Sequence, residues 1–269
     1  MILTVFTPTY NRAKHLHLCY QSLVSQEFKD FEWLIIDDGS TDNTKEVVEK
    51  FQLDNRIKIR YIYQENAGKQ AAWNKAVLEA SGTYFIGVDS DDKLIDNSLI
   101  LFFEKYIPKI DNQDNILGIR ALSKKNSTKQ ADSKFSIDKD NYIASWFEEF
   151  SFPQSGERID IFKTNILKKF LYPITSDIKF IPEIWFYSST ANKYKFLYVN
   201  KYLGLFFDEG VNNRLSRSNL LANAKGHQIA RGTMLKCIPL RFLLKNPMAF
   251  LKAIIRYCHV SFYLLMKKI

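Results

Sequence analysis

The sequence is poor in cysteine, and its few cysteines cannot form a metal site or a disulfide framework. Three are present, Cys19, Cys237 and Cys258, an odd number at wide spacing. Neither paired disulfides nor Cys-x-x-Cys metal ligation fits that arrangement, so we expect a reducing compartment. The first residues, MILTVFTPTYNR, also lack the basic stretch and apolar run of a secretory signal. We therefore expect a cytoplasmic protein.

Two common nucleotide-binding signatures are missing as well. No Gly-x-Gly-x-x-Gly occurs, which argues against a nicotinamide enzyme. The pair Gly68-Lys69 is not part of a P-loop. Tyr63 stands where that motif begins with glycine, and Gln70 stands where Ser or Thr should follow the lysine. Neither motif therefore assigns a function.

Acidic residues are absent from the end of the chain. The last one is Glu209, and eleven of the 38 lysines and arginines follow it, which leaves 27 basic against 29 acidic residues in the rest. The net charge of +9 therefore belongs to the tail. A charge excess confined to one end predicts contact with an anionic surface, and we expect no nucleic-acid partner.

The sequence does have a large apolar content and a regular alternation of patterns. It is 46% hydrophobic and 14% aromatic, enough for a large core. In the first hundred residues, β-rich runs such as ILTVF and EWLII alternate with helical patterns such as AKHLHLCYQSLVSQ. This rhythm predicts an α/β fold, a mostly parallel sheet flanked by helices. Between about 111 and 156 the pattern weakens, and we expect an exposed excursion there.

A polar cluster follows each of the first four predicted strands. Because ligands bind at the carboxyl ends of strands in open α/β sheets, we expect these four loops to meet in one crevice. The clusters are Tyr10-Asn11-Arg12, Asp37-Asp38-Gly39-Ser40, Glu65-Asn66-Ala67-Gly68-Lys69 and Asp89-Ser90-Asp91-Asp92.

The last of these clusters, within VDSDD, carries three carboxylates in four positions. Helix capping by Asp92 or Asp96 explains one of them but not all three. An EF-hand does not fit, because Leu94 and Ile100 occupy its glycine and glutamate positions. We therefore predict that Asp89 and Asp91 are ligands of Mg²⁺ or Mn²⁺, hard cations that commonly share substrate phosphates.

Three further residues admit two interpretations each. Ser40 or Thr41 can cap the next helix, which leaves Asp38 and its neighbour Asp37 without an assigned role. Carboxylates at this position can accept hydrogen bonds from a base or a ribose. Lys69 is either a partner for a diphosphate at a helix N-terminus or a solvated surface lysine. Glu183 either belongs to a common type of helix start, in which Pro182 is followed by an acidic residue, or is a partly desolvated general base.

Taken together, these stretches resemble the family 2 glycosyltransferases, which have the GT-A fold. The matching stretches are TPTYNR, IIDDGSTDNT, ENAGKQAAWNKA and GVDSDD, in that order and each after its own strand. Residues from about 156 to 210, including GERIDIF and FIPEIWF, are similar to the acceptor half of one bacterial branch. The resemblance implies a nucleotide-sugar donor, most often UDP-linked, a divalent cation, Mn²⁺ or Mg²⁺, and inversion at the anomeric carbon.

The resemblance also implies residue roles. Asp91 would bind the metal, and Asp89 would take part in binding both the metal and the ribose. Many relatives carry a Glu-Asp pair whose Asp is the catalytic base; here Ile184 stands at that Asp, so the resemblance passes the role of base to Glu183. The nucleotide-sugar would be held by Pro8, Tyr10, Arg12, Asp37, Asp38, Lys69 and Asp89, with Tyr10 and Asp38 at the base.

The expected organisation is a GT-A domain over 1–210 and a basic, amphipathic helical segment over 211–269. The first comprises a nucleotide-sugar-binding half, 1–110, and an acceptor half, 111–210. In the tail, Asn246 and Pro247 predict a helix start, and Lys252, Arg256 and His259 form one polar stripe. This helix lies either in the plane of an anionic membrane or packed on the catalytic body or in a dimer. We expect all four histidines to be structural or at the surface.

The function that follows is transfer of a sugar to an acceptor hydroxyl in bacterial surface polysaccharide or glycolipid assembly. The acceptor would be a saccharide or a lipid-linked saccharide, and the enzyme would lie peripherally at the inner face of the cell membrane. A rival hypothesis is a non-catalytic nucleotide-sugar-binding or scaffold protein, because Ile184 replaces the usual base. A nucleotidyltransferase is a second rival, although TPTYNR is not the Gly-rich first loop of that class.

Overall fold

The fold is described from a computed structural model that covers residues 1–131, 133, 141–152, 156–207 and 220–267. Within these residues, nine strands form one sheet. They are β1 Leu3–Thr9, β2 Phe31–Asp37, β3 Lys58–Tyr63, β4 Tyr84–Gly87, β5 Lys93–Leu94, β6 Ile116–Lys125, β7 Tyr142–Ala144, β8 Arg158–Lys163 and β9 Lys195–Phe206.

Helices cover both faces of this sheet. They are α1 Leu16–Val24, α2 Thr44–Asp54, α3 Lys69–Glu79, α4 Ser98–Leu101, α5 Trp146–Phe150, α6 Thr164–Leu167, α7 Ile184–Thr190, α8 Ala224–Cys237, α9 Leu240–Lys245 and α10 Pro247–Met266. Two apolar clusters form the core. Leu34 and Ile36 of β2 belong to one and Trp33 and Ile35 to the other, so β2 is buried on both faces.

The first four strands are parallel, in the order β3-β2-β1-β4. Their carboxyl ends therefore share one edge, and the predicted α/β architecture with a helical C-terminal extension is confirmed. The polar loops that follow these strands are joined directly. The Asn11 amide N–H donates to Ser40 Oγ at 2.9 Å, and the Gln64 side chain donates to Asp38 Oδ1 at 2.8 Å.

The second half of the sheet is mixed rather than parallel. β8 is antiparallel to both β4 and β6, and β9 is parallel to β6 but antiparallel to β5 and β7. The expectation of an exposed excursion over 111–156 was wrong for its first part, since β6 lies inside the sheet with Ile116–Ala121 buried. Gly118 is needed there, because a Cβ would come within 2.0 Å of the Ile161 carbonyl oxygen.

The C-terminal helices pack on the body through α7. Helix α8 lies against α7, and α10 lies against α8. At the α8 contact, a Cβ on Gly226 would fall 1.8 Å from the Phe180 carbonyl oxygen, so glycine permits the close approach. Ala230, Met234 and Ala253 belong to the same apolar cluster as Phe6 and Phe162 of the sheet. The helices therefore share the core of the sheet; the boundary predicted between 210 and 211 lies outside the described residues.

Candidate active site

A cleft of about 1380 Å³ opens at the carboxyl ends of β1 to β4. This volume exceeds the roughly 300–1,000 Å³ that commonly holds a single small ligand, so two substrates have room. Eight of the nine site residues predicted from the sequence line the cleft: Pro8, Tyr10, Arg12, Asp38, Lys69, Asp89, Asp91 and Glu183. The structure thus brings together residues from five separate segments of the chain.

Asp38 connects two of these loops through hydrogen bonds. Its Oδ1 accepts from the Ala67 amide and its Oδ2 from the Gly68 amide, both at 2.8 Å. Asn66 donates to the same side chain. Gly68 has a φ of +96°, and a Cβ there would lie 1.9 Å from the Lys179 carbonyl oxygen. Asp38 and a conformation that favours glycine therefore fix the loop that places Lys69 at the start of α3.

Asp37 lies away from the cleft wall. It is buried, and its carboxylate accepts from the Tyr61 hydroxyl at 2.5 Å and from the Ser40 amide at 2.8 Å. These bonds hold the turn between β2 and α2. A nucleotide-binding role for Asp37 stays a prediction, and the structure gives this residue a structural task.

Three carboxylates crowd together on the loop after β4. Oxygens of Asp89, Asp91 and Asp92 lie within 4.8 Å of one another. Burial, followed by the charges of Asp89 and Asp91, raises the pKa of Asp92 to about 8. The nearest basic group to Asp91 is Arg12, whose guanidinium is 3.8 Å away. With all three carboxylates ionised, their charge exceeds that of Arg12 and Lys69 together. The residues present therefore fit a divalent cation, which would displace the proton of Asp92, and Asp92 joins the two predicted ligands as a third carboxylate.

Lys69 faces this cluster from the first turn of α3. Its Nζ lies 2.8 Å from Asp89 Oδ2. Burial lowers the pKa of Lys69, but the carboxylates of Asp89 and Glu183 outweigh that effect and raise its pKa above the ordinary value. The ammonium therefore stays charged, with the helix N-terminus beside it, as an anion-binding group requires.

Glu183 immediately precedes α7 and points into the cleft as an exposed side chain. The desolvated environment considered for it from its apolar neighbours is absent, because Ile181 and Phe186 are buried while Glu183 is not. It makes no capping hydrogen bond to the helix. Ile184, at the position of the missing acid, packs on the apolar core. Glu183 is thus the acidic residue that α7 presents to the cleft at its first turn.

A buried ionic network anchors the helix that carries Glu183. Tyr187, one turn further along α7, donates to Asp160 Oδ2 at 2.7 Å. Arg120 bridges Asp160 at 2.6 Å and Glu149 at 2.8 Å. All three charged residues are buried, so their charges must be satisfied by one another. The network ties α7 to β6, β8 and α5 and so fixes the position of Glu183.

The family profile described as Glycosyl transferase family 2 matches residues 4–172. The chain belongs to this family. The match covers strands β1 to β4, all the carboxylates of the cluster and the anchor residue Asp160, but ends before Glu183 and the C-terminal helices.

Several curated family 2 relatives are similar over part of their length. The GalNAc(5)-diNAcBac-PP-undecaprenol beta-1,3-glucosyltransferase of Campylobacter jejuni is 30% identical over 62% of this chain and 53% of its own length. Glycosyltransferase GlyA of Streptococcus pneumoniae is 38% identical over 39% of this chain and 15% of its own. The putative teichuronic acid biosynthesis glycosyltransferase TuaG of Bacillus subtilis is 37% identical over 34% of this chain and 36% of its own. Each match thus spans about half or less of the relative.

Solved structures share the GT-A fold. S. aureus TarS 1–349, in complex with UDP-GlcNAc, superposes with a TM-score of 0.70 at 19% identity, over 88% of this chain and 67% of that one. The mannosyltransferase PcManGT of Pyrobaculum calidifontis, with GDP-Man and Mn²⁺, gives 0.62 at 15% identity, over 96% and 72%. At these identities the likeness establishes the fold.

The cleft of this family 2 protein also contains basic residues of the tail that the sequence analysis did not assign to a ligand site. His227 and Arg231 of α8 and Arg256 of α10 line it. His227 is half-buried in the cleft wall, with its ring 6.0 Å from that of Phe180. Isolated basic residues on helices usually face solvent, and no pattern within the tail could have indicated that α8 and α10 would bring these three to the same cleft.

Proposed function

We propose that this family 2 protein is an inverting glycosyltransferase that moves a sugar from a nucleotide-sugar, most often UDP-linked, to an acceptor hydroxyl with a divalent cation. The observation that carries the proposal is the meeting of the Asp89, Asp91 and Asp92 cluster with Tyr10, Asp38 and Glu183 in one cleft. Tyr10 is half-exposed there and offers a ring face for a base, with Asp38 at the neighbouring strand end.

In this proposal, Asp89, Asp91 and Asp92 would hold Mn²⁺ or Mg²⁺. When bound, the cation supplies charge neutralisation for a departing diphosphate. Lys69, charged and beside the N-terminus of α3, would bind the diphosphate. Glu183 accepts the proton of the acceptor hydroxyl while the oxygen of that hydroxyl bonds to the anomeric carbon. The bond from that carbon to the diphosphate oxygen breaks on the opposite face, which inverts the configuration.

The acceptor is proposed to be a saccharide, free or carried on a lipid. The C. jejuni relative is named for a saccharide linked to undecaprenol, and TuaG for teichuronic acid biosynthesis. Both are names of bacterial proteins. They support a role for this chain in surface polysaccharide or glycolipid assembly.

Helix α10 supports a peripheral contact with that membrane, at its inner face. Among the described residues it is the one helix whose length and composition would allow it to cross a bilayer, and 11% of its most apolar stretch is buried. Ala253 and Val260 are buried where α10 packs on α8, which favours an in-plane helix. Its outer face exposes Met248, Leu251, Ile254, Ile255, Phe262, Leu265 and Met266, flanked by the basic Lys252, Arg256 and His259.

The rival function, a non-catalytic nucleotide-sugar-binding or scaffold protein, shares the donor site but needs no base. The exposed carboxylate of Glu183 on the cleft wall favours catalysis. Release of UDP when a saccharide acceptor is added to protein, UDP-sugar and Mn²⁺ distinguishes the two functions. A protein that binds UDP and never releases it from the sugar would be the scaffold.

The donor site is tested with UDP and Mn²⁺. The wild-type protein should gain thermal stability when both are added, because a ligand that binds the native state stabilises it. Asp91→Asn should lose that gain without unfolding, while Asp96→Asn, the same change on an exposed residue outside the cleft, should keep it. An Asp91→Asn protein stabilised as well as the wild type would contradict the metal site.

A further inference from the structure

Three basic side chains converge on the cleft wall from two C-terminal helices. His227 and Arg231 are four residues apart on α8 and so lie on the same face of it. Arg256 comes from α10, which packs along α8. Each of the three lines the same cleft as Glu183. They lie beyond residue 172, where the family profile ends.

The two arginines of this cluster have no acidic partner in the described part of the chain. No carboxylate oxygen there lies within 4.0 Å of the Arg231 or Arg256 guanidinium. Arg231 contacts the Met234 sulfur at 3.8 Å, and its buried Nε has no hydrogen-bond partner. The buried Nδ1 of His227 has none either. A buried arginine N–H without an acceptor is costly, and an anion bound beside it would supply that acceptor.

Two pKa values reflect burial and, after it, this excess of positive charge. Burial, followed by the charges of Arg231 and Arg256, lowers the pKa of His227 to about 4. Burial, followed by the charge of Arg256, lowers that of Arg231 to about 10. Lys69 pairs with Asp89, Arg12 faces Asp91 and Lys225 pairs with Asp177. Lys179 and Lys93, which also line the cleft, contact the Asn66 side chain and the Phe207 ring instead of an acid. Among the described residues, this cluster combines the lack of an acid within 4.0 Å with buried nitrogens that have no hydrogen-bond partner.

We infer that His227, Arg231 and Arg256 form a binding site for a phosphate or diphosphate group of the acceptor, an inference that rests on the proposed glycosyl transfer. Arginine guanidinium groups match phosphate oxygens with paired hydrogen bonds, and the imidazole supplies a further donor. An acceptor of this class is a phosphate-bearing glycolipid or sugar phosphate rather than a neutral saccharide.

The position of the cluster favours the acceptor over the donor. The donor diphosphate already has the carboxylate cluster and Lys69 at the strand ends. The basic cluster instead adjoins Phe180, three residues before Glu183. Arg256 also belongs to α10, whose outer face is apolar and exposed. A phosphate held here lies between the proposed membrane-facing helix and the wall that carries the proposed base.

The first experiment measures binding of inorganic pyrophosphate in EDTA, so that the cation site does not contribute. We expect the wild type to bind, and Arg256→Gln and Arg231→Gln each to bind about 10-fold or more weakly, because each removes a charge-assisted hydrogen bond. Arg231→Lys should recover part of the loss. Arg241→Gln, an exposed basic residue of α9 outside the cleft, is the matched control and should bind normally. Arg256 is exposed, so its variant should fold even if Arg231→Gln does not. Equal binding by wild type and Arg256→Gln would overturn the inference.

The second experiment separates the two sources of phosphate. If the site serves the acceptor, Arg256→Gln leaves the affinity for UDP with Mn²⁺ within about 2-fold of the wild type. It should nevertheless weaken binding to phosphatidylcholine vesicles that contain a polyprenyl diphosphate. Binding to vesicles in which phosphatidylglycerol supplies the same total charge should change less. A loss confined to UDP affinity would assign the cluster to the donor, and an equal loss on both vesicles would assign it to general membrane charge; either result overturns the inference.

The inference and the proposed function fail in different measurements. Asp91→Asn should lose UDP-dependent stabilisation yet bind pyrophosphate in EDTA as the wild type does. If the wild-type protein shows no response to UDP and Mn²⁺, the proposed function fails, while the pyrophosphate result still decides the basic cluster. If pyrophosphate binding is indifferent to both arginine variants while UDP binds, only the basic cluster is refuted.

Discussion

One cleft contains an acidic site and a basic site that are built in different ways. Asp89, Asp91 and Asp92 come from a single loop at the end of one strand. His227, Arg231 and Arg256 come from two helices, and only the packing of α10 on α8 brings them together. The first site has negative charge in excess and the second has positive charge in excess. Each is therefore incomplete without a ligand of the opposite sign.

Under the proposed function, the two sites would hold different substrates on one fold. The strand ends are held by the sheet, and their loops are fixed by Asp38 and by Gly68. The basic site depends instead on the C-terminal helices, which pack through α7 and share the core of the sheet. Glu183 lies between the two systems, on a helix anchored to the sheet on one side and packed on α8 on the other.

The largest effect is expected where the two sites meet. Glu183→Gln removes the proposed base but keeps its size, and we expect kcat to fall by about 10²–10⁴-fold. UDP affinity with Mn²⁺ should stay close to that of the wild type. Glu157→Gln, another exposed carboxylate lining the cleft, is the matched control for steady-state kinetics. If Glu157→Gln loses activity and Glu183→Gln does not, the base has been assigned to the wrong residue.

A second prediction concerns a substitution that disturbs the loop beside the acidic site without changing any charge. Gly68→Ala places a Cβ against the Lys179 carbonyl oxygen and strains a residue with a φ of +96°. We expect the free energy of unfolding to drop by about 1–3 kcal/mol and the affinity for UDP to fall, because the loop that positions Lys69 must shift. Gly232→Ala is the control, since its Cβ would meet only the Tyr257 ring edge at 3.2 Å. Urea unfolding of both variants checks the difference; equal losses would show that the loop strain is unimportant.

A third prediction sharpens the comparison on the basic side. Leu251→Glu with Phe262→Glu puts carboxylates on the outer face of α10, and each lost apolar side chain contributes roughly 1.5–3 kcal/mol when fully buried. Sedimentation with vesicles that contain phosphatidylglycerol should fall by about 10-fold or more. Leu53→Glu introduces a single carboxylate at a leucine of α2 that is 85% exposed, and should sediment normally. A double variant that still sediments with the vesicles would place the membrane contact elsewhere.

Features built from neighbouring residues could be predicted from the sequence, and features built from distant parts of the chain could not. Strands β1 to β4 and their loops were predictable because hydrophobic period, turn residues and ligand position all act within a few neighbouring residues. Strand β6 was not, because Gly118 and Arg120 interrupt its apolar run. The charge of Arg120 is satisfied by Glu149 and Asp160, partners far along the chain.

The basic site and the environment of Glu183 could not be predicted from the sequence for a related reason. Residues 227 and 256 have no local relation, and each alone resembles an ordinary surface residue. Glu183 has apolar neighbours, which suggested a desolvated carboxylate. Ile181 is buried, and Ile184 and Trp185 pack against the apolar core. Pro182 lines the cleft beside Glu183, which is exposed there. Sequence neighbours at a helix start do not share one environment, because the backbone sends them in different directions.

The smallest expected effect is a pH dependence that belongs to the acidic site. Because the pKa of Asp92 is raised to about 8, the native protein without metal keeps a proton there that the unfolded chain has already lost. Stability from this group is therefore complete at low pH and declines as the pH rises, until about pH 8. Between about pH 7 and 8.5, the thermal midpoint in EDTA should fall slightly more for the wild type than for Asp92→Asn, which cannot ionise. His227 and Asp160 titrate at about 4 and about 6 in the native state and add little in this window. Added Mn²⁺ should remove the wild-type decline, since a cation favours the ionised carboxylates. Parallel curves for the two proteins in EDTA would mean that burial and the neighbouring carboxylates do not raise the pKa of Asp92 as their spacing implies.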